Sequence, residues 1–185
     1  MAFIILCPNK CGSTSLCNLL NRVDGFECKH ERDMIGLPYI QDYGLLNDRI
    51  KDFTKNYGEV GFYYLYYLPE MLSAVPDLKV VVLKRDYGSW LKSFTHFTGG
   101  DFNITEEWVE SYPPYHKDRT EHSIWRFYHE YYIRVDALKK LTKNIKVFNM
   151  ECLNSVKGLN KIYNHIGVPK DRRVYTFIHS NATTY

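Results

Sequence analysis

Phe3-Ile4-Ile5-Leu6-Cys7-Pro8-Asn9-Lys10-Cys11-Gly12-Ser13-Thr14-Ser15-Leu16 is the stretch that decides the fold class. Phe3 to Cys7 form a short, continuous apolar run of β-rich residues. Such a run fits a strand buried in a parallel sheet better than a helix. A Pro/Gly/Ser loop follows, and Leu16, Leu19 and Leu20 then fall at helical spacing. A strand, a loop with one flexible glycine and a helix opening on hydroxyl residues can wrap backbone N–H groups around an anion. Lys10 adds a cation to that loop, and Ser13, Thr14 and Ser15 add hydroxyl donors. The loop is not a Walker A motif, which places its lysine directly after a second glycine. Here Lys10 precedes Gly12 and no glycine lies upstream. Read alone, the loop is equally compatible with an ordinary capped helix carrying a surface lysine.

Working outward, the same alternation returns. Val80-Val81-Val82-Leu83 predicts a second buried strand, ending at Lys84-Arg85-Asp86. The segment from Tyr87 to His96 then places Trp90, Leu91 and Phe94 on one helical side. Ile145 to Phe148 predicts a third strand. From about Thr120 to Leu141, Ile124, Phe127, Tyr128, Tyr131, Val135, Leu138 and Leu141 recur with the period of an amphipathic helix. A last helix, about Ser155 to Ile166, stops at Gly167 with Pro169 beyond. Strands alternating with helices predict an α/β fold with a mainly parallel sheet flanked by helices, and such sheets bind ligands at the carboxyl ends of their strands. The loops Pro8–Thr14 and Lys84–Ser93 belong on that edge. Arg85 has the planar fork that grips a phosphate. Asp86 is placed to cap the next helix, and Ser89 and Ser93 share a helix face. The alternative for Arg85 is a structural pairing with the cap carboxylate.

Composition sets the outer bounds. At 185 residues the chain predicts a single domain over 1–185, and 45% hydrophobic content supplies a core. Net charge is only +3, from 24 basic and 21 acidic residues, too mild to point to nucleic acid or membrane. Five cysteines without a C-x-x-C pair exclude zinc-ribbon and thioredoxin-like spacing and predict reduced thiols in a cytoplasmic protein. No metal-ligand spacing is evident. The apolar start, Ala2 to Cys7, is too short for a signal segment or a membrane span.

Set side by side, the two loops resemble a known family. Lys10-Cys11-Gly12-Ser13-Thr14 resembles the K-x-G-[ST]-T loop of sulfotransferases that use 3′-phosphoadenosine 5′-phosphosulfate. Val81 to Ser93 is similar to their second signature, an apolar strand ending in R-D with a serine eight residues after the arginine. Pro76-Asp77-Leu78-Lys79, Met150-Glu151-Cys152-Leu153 and Ile166-Gly167-Val168-Pro169 resemble further family segments in the correct order. The resemblance implies a three-layer, P-loop NTPase-like sulfotransferase fold. It implies that Lys10, Cys11, Gly12, Ser13, Thr14 and Ser15 hold the 5′-phosphosulfate, and that Arg85 and Ser93 hold the 3′-phosphate. Lys10 would neutralise the leaving phosphate, with no metal, as the sulfuryl group moves in line to a hydroxyl or amine of a small-molecule or glycan acceptor. The product would be adenosine 3′,5′-bisphosphate.

The cytosolic branch of the family takes its base from a histidine shortly before the second signature, and no histidine lies between His30 and His96. The glycan-modifying branch uses a glutamate in a K-E-containing segment, and Lys29-His30-Glu31-Arg32 lies at the corresponding place. Glu31 is therefore the expected general base, with His30 as the alternative. The chain departs from the family at Ser15, where an aromatic residue is common, and at Tyr87, where proline is usual. It also lacks the R-K-G tail motif. A kinase with an atypical phosphate loop and a non-catalytic nucleotide-binding module remain alternatives. Tyr63, Tyr64, Tyr66 and Tyr67 are expected in core and half-buried strand positions. The long aromatic segment from Phe97 to Arg119 is expected to act as an acceptor lid, with His96 beside it, and the equal alternative is that its Trp108 is a core anchor.

Overall fold

The amino-terminal apolar run forms the central strand β1 (Phe3–Leu6), all four residues fully buried. A computed structural model describes residues 1–32, 43–97 and 120–176. In it β1 pairs in parallel with β3 (Tyr57–Val60) on one side and β4 (Lys79–Lys84) on the other. β2 (Glu27–His30) extends the sheet beyond β3, and β5 (Ile145–Asn149) extends it beyond β4. The order is β2-β3-β1-β4-β5, all parallel. Successive side chains of a strand point to opposite faces, so the complete burial of β1 requires cover on both.

Among the described residues, six helices flank this sheet: α1 (Ser13–Leu20), α2 (Tyr43–Lys51), α3 (Leu68–Ala74), α4 (Tyr87–Phe97), α5 (Glu121–Lys139) and α6 (Val156–Ile166). Their ends follow local chemistry. The Thr120 hydroxyl accepts from the Ser123 N–H at 3.3 Å to open α5, and the Ser155 hydroxyl accepts from Gly158 at 3.0 Å to open α6. α6 ends where the Gly167 and Val168 N–H groups both reach the Tyr163 carbonyl at 2.9 Å. Among the described residues, no helix is long and apolar enough to cross a membrane.

Two strands were not legible as continuous apolar runs. β2 is an edge strand with only Cys28 buried, and β3 carries a buried carboxylate, Glu59. The expectation of strand positions for the tyrosine run is corrected. Residues Phe62–Tyr66 form a 3-10 turn after β3, with the Tyr64 N–H bonded to the Gly61 carbonyl at 3.3 Å. Tyr63 and Tyr64 are nonetheless core residues, and Tyr66 and Tyr67 half-buried. The expected lid falls almost entirely on residues 98–119, outside the described residues.

The topology fixes where a ligand can bind. α1 leads from β1 toward β2, while α4 and α5 lead from β4 toward the opposite edge, so a crevice opens between the carboxyl ends of β1 and β4. A second wall comes from the 3-10 turn Met150–Asn154 after β5, held by α6. Gly158 makes that packing possible: a Cβ there would lie 2.2 Å from the Cys152 carbonyl oxygen. Gly158→Ala is therefore expected to cost about 1–3 kcal/mol of stability through overpacking against rigid backbone. Urea denaturation measures this, and an unchanged midpoint would contradict the close approach.

Candidate functional site

The loop after β1 owes its shape to alternating backbone handedness. Lys10 and Gly12 have φ of 69° and 84°, while Cys11 between them keeps a negative φ. Alternation of this kind turns successive N–H groups into one concavity, a form suited to an anion. Gly12 is the residue preceding α1 and, lacking a side chain, makes no capping hydrogen bond of its own. A Cβ at Gly12 would meet Leu153 at 2.9 Å and Met150 at 3.2 Å, so the turn after β5 closes over the loop.

The loop is fixed from the neighbouring strand. Trp90 Nε1 donates to the Asn9 carbonyl at 2.7 Å, and Arg85 Nη1 donates to the Lys10 carbonyl at 3.1 Å. The Tyr128 hydroxyl donates to the Arg85 carbonyl, and the Tyr132 hydroxyl to that of Leu83 at 2.9 Å. Arg85 Nε is buried and has no hydrogen-bond partner among the described residues. Asp86 caps α4 as expected, its carboxylate accepting the Ser89 N–H at 3.0 Å, which holds its pKa below the ordinary aspartate value. Ser89 is exposed, whereas Ser93 is only 3% exposed, on the inner side of α4. The Lys10 ammonium lies over the Phe97 ring, 4.9 Å from its centroid.

β2 delivers the third component. His30 Nε2 lies 3.3 Å from the Ser13 hydroxyl and 3.1 Å from that of Thr14, so the end of β2 meets the opening turn of α1. Glu31 follows in a left-handed conformation, φ 47°, its N–H bonded to the Val60 carbonyl at 2.9 Å. Its carboxylate approaches His30 Nδ1 at 3.9 Å. Burial raises the Glu31 pKa and lowers that of His30. Both groups are thereby pushed toward their neutral forms, as desolvation requires.

The structure thus brings Lys10, Cys11, Gly12, Ser13, Thr14, Ser15, His30 and Arg85 to the carboxyl edge of the sheet, with Glu31 next to His30. Sequence reasoning missed Trp90, Tyr128 and Tyr132 as the supports of that edge. Their signal was indirect: a buried indole or phenol needs a hydrogen-bond partner, and a loop has carbonyls to offer.

A family model described as a sulfotransferase domain matches residues 3–164. The chain belongs to that sulfotransferase family. No curated protein sequence matches the chain. Among solved structures, the sulfotransferase from Alicyclobacillus acidocaldarius superimposes with a TM-score of 0.63 at 17% identity, covering 97% of this chain and 86% of that one. Mouse sulfotransferase SULT7A1, complexed with PAP, gives a TM-score of 0.59 at 16% identity, covering 91% of this chain and 58% of the mouse protein. Both likenesses are of fold.

The lowered pKa of His30 in this sulfotransferase makes a stability prediction. With its folded value below its unfolded value, the unfolded chain takes up the proton first as pH falls. Stability contributed by the neutral, buried imidazole is therefore lost as pH falls from the unfolded value toward the folded one. His30→Gln should remove this part of the decline in Tm between about pH 7 and pH 5. His165 shifts in the same direction but is present in both proteins. Parallel Tm curves would contradict the assignment.

Proposed function

We propose that the chain transfers a sulfuryl group from 3′-phosphoadenosine 5′-phosphosulfate to a hydroxyl or amine of a small-molecule or glycan acceptor. Arg85 carries this reading. Its guanidinium bridges both loops through the Lys10 carbonyl, yet leaves Nε buried without a partner among the described residues. A multiply charged anion between the loops supplies the missing acceptor. The loop from Lys10 to Ser15 would hold the 5′-phosphosulfate, and Arg85 with Ser93 the 3′-phosphate. The PAP in the mouse neighbour supports the same donor class here.

In the transfer, Glu31 accepts the acceptor's proton while the acceptor oxygen or nitrogen forms a bond to sulfur. The bond from sulfur to the bridging oxygen of the 5′-phosphate breaks, and adenosine 3′,5′-bisphosphate leaves. Lys10 and the loop N–H groups stabilise the charge that develops on that phosphate. Alignment of donor and acceptor supplies most of what remains. The buried thiols Cys7 and Cys11, which form no disulfide, suit a reducing compartment, and the cytoplasm is the proposed location.

Adenosine 3′,5′-bisphosphate is expected to raise thermal stability without metal, by about 2.7 kcal/mol at a hundredfold excess over its dissociation constant. Equal stabilisation by 5′-AMP would remove the 3′-phosphate from the Arg85 side.

Glu31→Gln should leave that binding unchanged and lower turnover by roughly 10²–10⁴-fold. Because Glu31 must be ionised to act, and burial raises its pKa, activity should fall with acid above the ordinary carboxylate range. A kcat/KM profile across pH measures that limb.

A further inference from the structure

Beneath Glu31 lies a buried charge cluster that donor binding and proton transfer do not use. Glu59, on β3, is fully buried. Its carboxylate accepts Arg49 Nη1 at 3.1 and 3.4 Å, the Tyr57 hydroxyl at 2.5 Å and the Tyr64 hydroxyl at 2.5 Å. Arg32, the residue after Glu31, reaches into this cluster. Its Nη1 donates to the Tyr57 hydroxyl at 3.0 Å and lies 3.9 Å from Glu59, while Nη2 pairs with Asp52 at 3.0 Å. Among the described residues, two guanidinium groups thus face two carboxylates.

Such a set gains little over apolar packing of the same volume, because desolvation offsets the Coulomb attraction. What it does fix is direction. Glu31 holds a left-handed backbone that non-glycine residues adopt at a cost, and such conformations persist only where the surroundings over-determine them. On one side the Glu31 N–H is tied to Val60, and on the other the Arg32 side chain is tied to Tyr57 and Asp52. We propose that Arg32, anchored on Tyr57, Asp52 and the buried Glu59, is a positioning residue that sets the turn presenting the Glu31 carboxylate to the acceptor. This rests on the reading of Glu31 as general base.

Four proteins test it: Arg32→Ala, Arg32→Lys, Glu31→Gln and the double variant Arg32→Ala/Glu31→Gln. The Arg32 side chain is 36% exposed, so its removal is expected to leave the fold intact, which Tm checks. Arg32→Ala is expected to keep adenosine 3′,5′-bisphosphate affinity and acceptor KM while lowering kcat tenfold or more. Arg32→Lys, which retains one charge contact without the fork, should recover part of the loss. The double variant should be no slower than Glu31→Gln alone, since both changes disable one unit. Multiplicative losses in the double variant, or a raised acceptor KM with unchanged kcat, would overturn the positioning role. A normal kcat for Arg32→Ala beside an impaired Glu31→Gln overturns this inference and leaves the base reading standing. Near-normal turnover of Glu31→Gln overturns both.

Discussion

Two backbone carbonyls, those of Asn9 and Lys10, hold the site together. A carbonyl drawn even partly out of water favours a donor, and these two find Trp90 and Arg85 from the helix after β4 and the end of that strand. The loops after β1 and β4 are consequently one unit, although 75 residues separate Lys10 from Arg85 along the chain. α5 extends the tie, with Tyr128 on the Arg85 carbonyl and Tyr132 on that of Leu83. An anion placed between the loops meets donors whose positions are already set, which is the condition for electrostatic stabilisation without reorganisation.

The abundance of tyrosine acquires a physical meaning in this frame. Tyr57 and Tyr64 satisfy Glu59, Tyr128 and Tyr132 satisfy the end of β4, and Tyr163 donates to the Val174 carbonyl at 2.5 Å. Each ring contributes apolar mass to the core, while its hydroxyl answers a polar group that the fold has buried. Burial accordingly pushes these phenols upward in pKa, to about 12 for Tyr128 and Tyr163. A phenylalanine in such a place would leave a carbonyl or carboxylate unpaired.

The edge formed by β2 works by a different rule. Where the first two loops present donors, His30 and Glu31 present titratable groups whose neutral forms are favoured by burial. His30 meets the Ser13 and Thr14 hydroxyls of the loop after β1 and Glu31 begins the next turn, so two titratable groups lie beside that loop. β3 separates β2 from β1, so these titratable groups and the donors of the first two loops come from different parts of the sheet edge.

The buried strands β1 and β4 and the periodic helices α5 and α6 were determined by local sequence, because continuous apolar runs and a helical repeat each permit one kind of burial. So was the character of the two loops, through Lys10, Gly12 and Arg85, whose chemistry survives without knowledge of the fold. β2 and β3 escaped that reading. One is an exposed edge and the other buries Glu59, and neither pattern is intelligible until Arg49, Tyr57 and Tyr64 are known to converge on it. The joining of the Lys10 loop to Arg85 and Trp90, and the meeting of His30 with Ser13 and Thr14, were likewise decided only by tertiary structure. Hydrogen bonds between residues far apart in the chain depend on strand order, and strand order is set by the packing of the whole sheet rather than by any local run of residues.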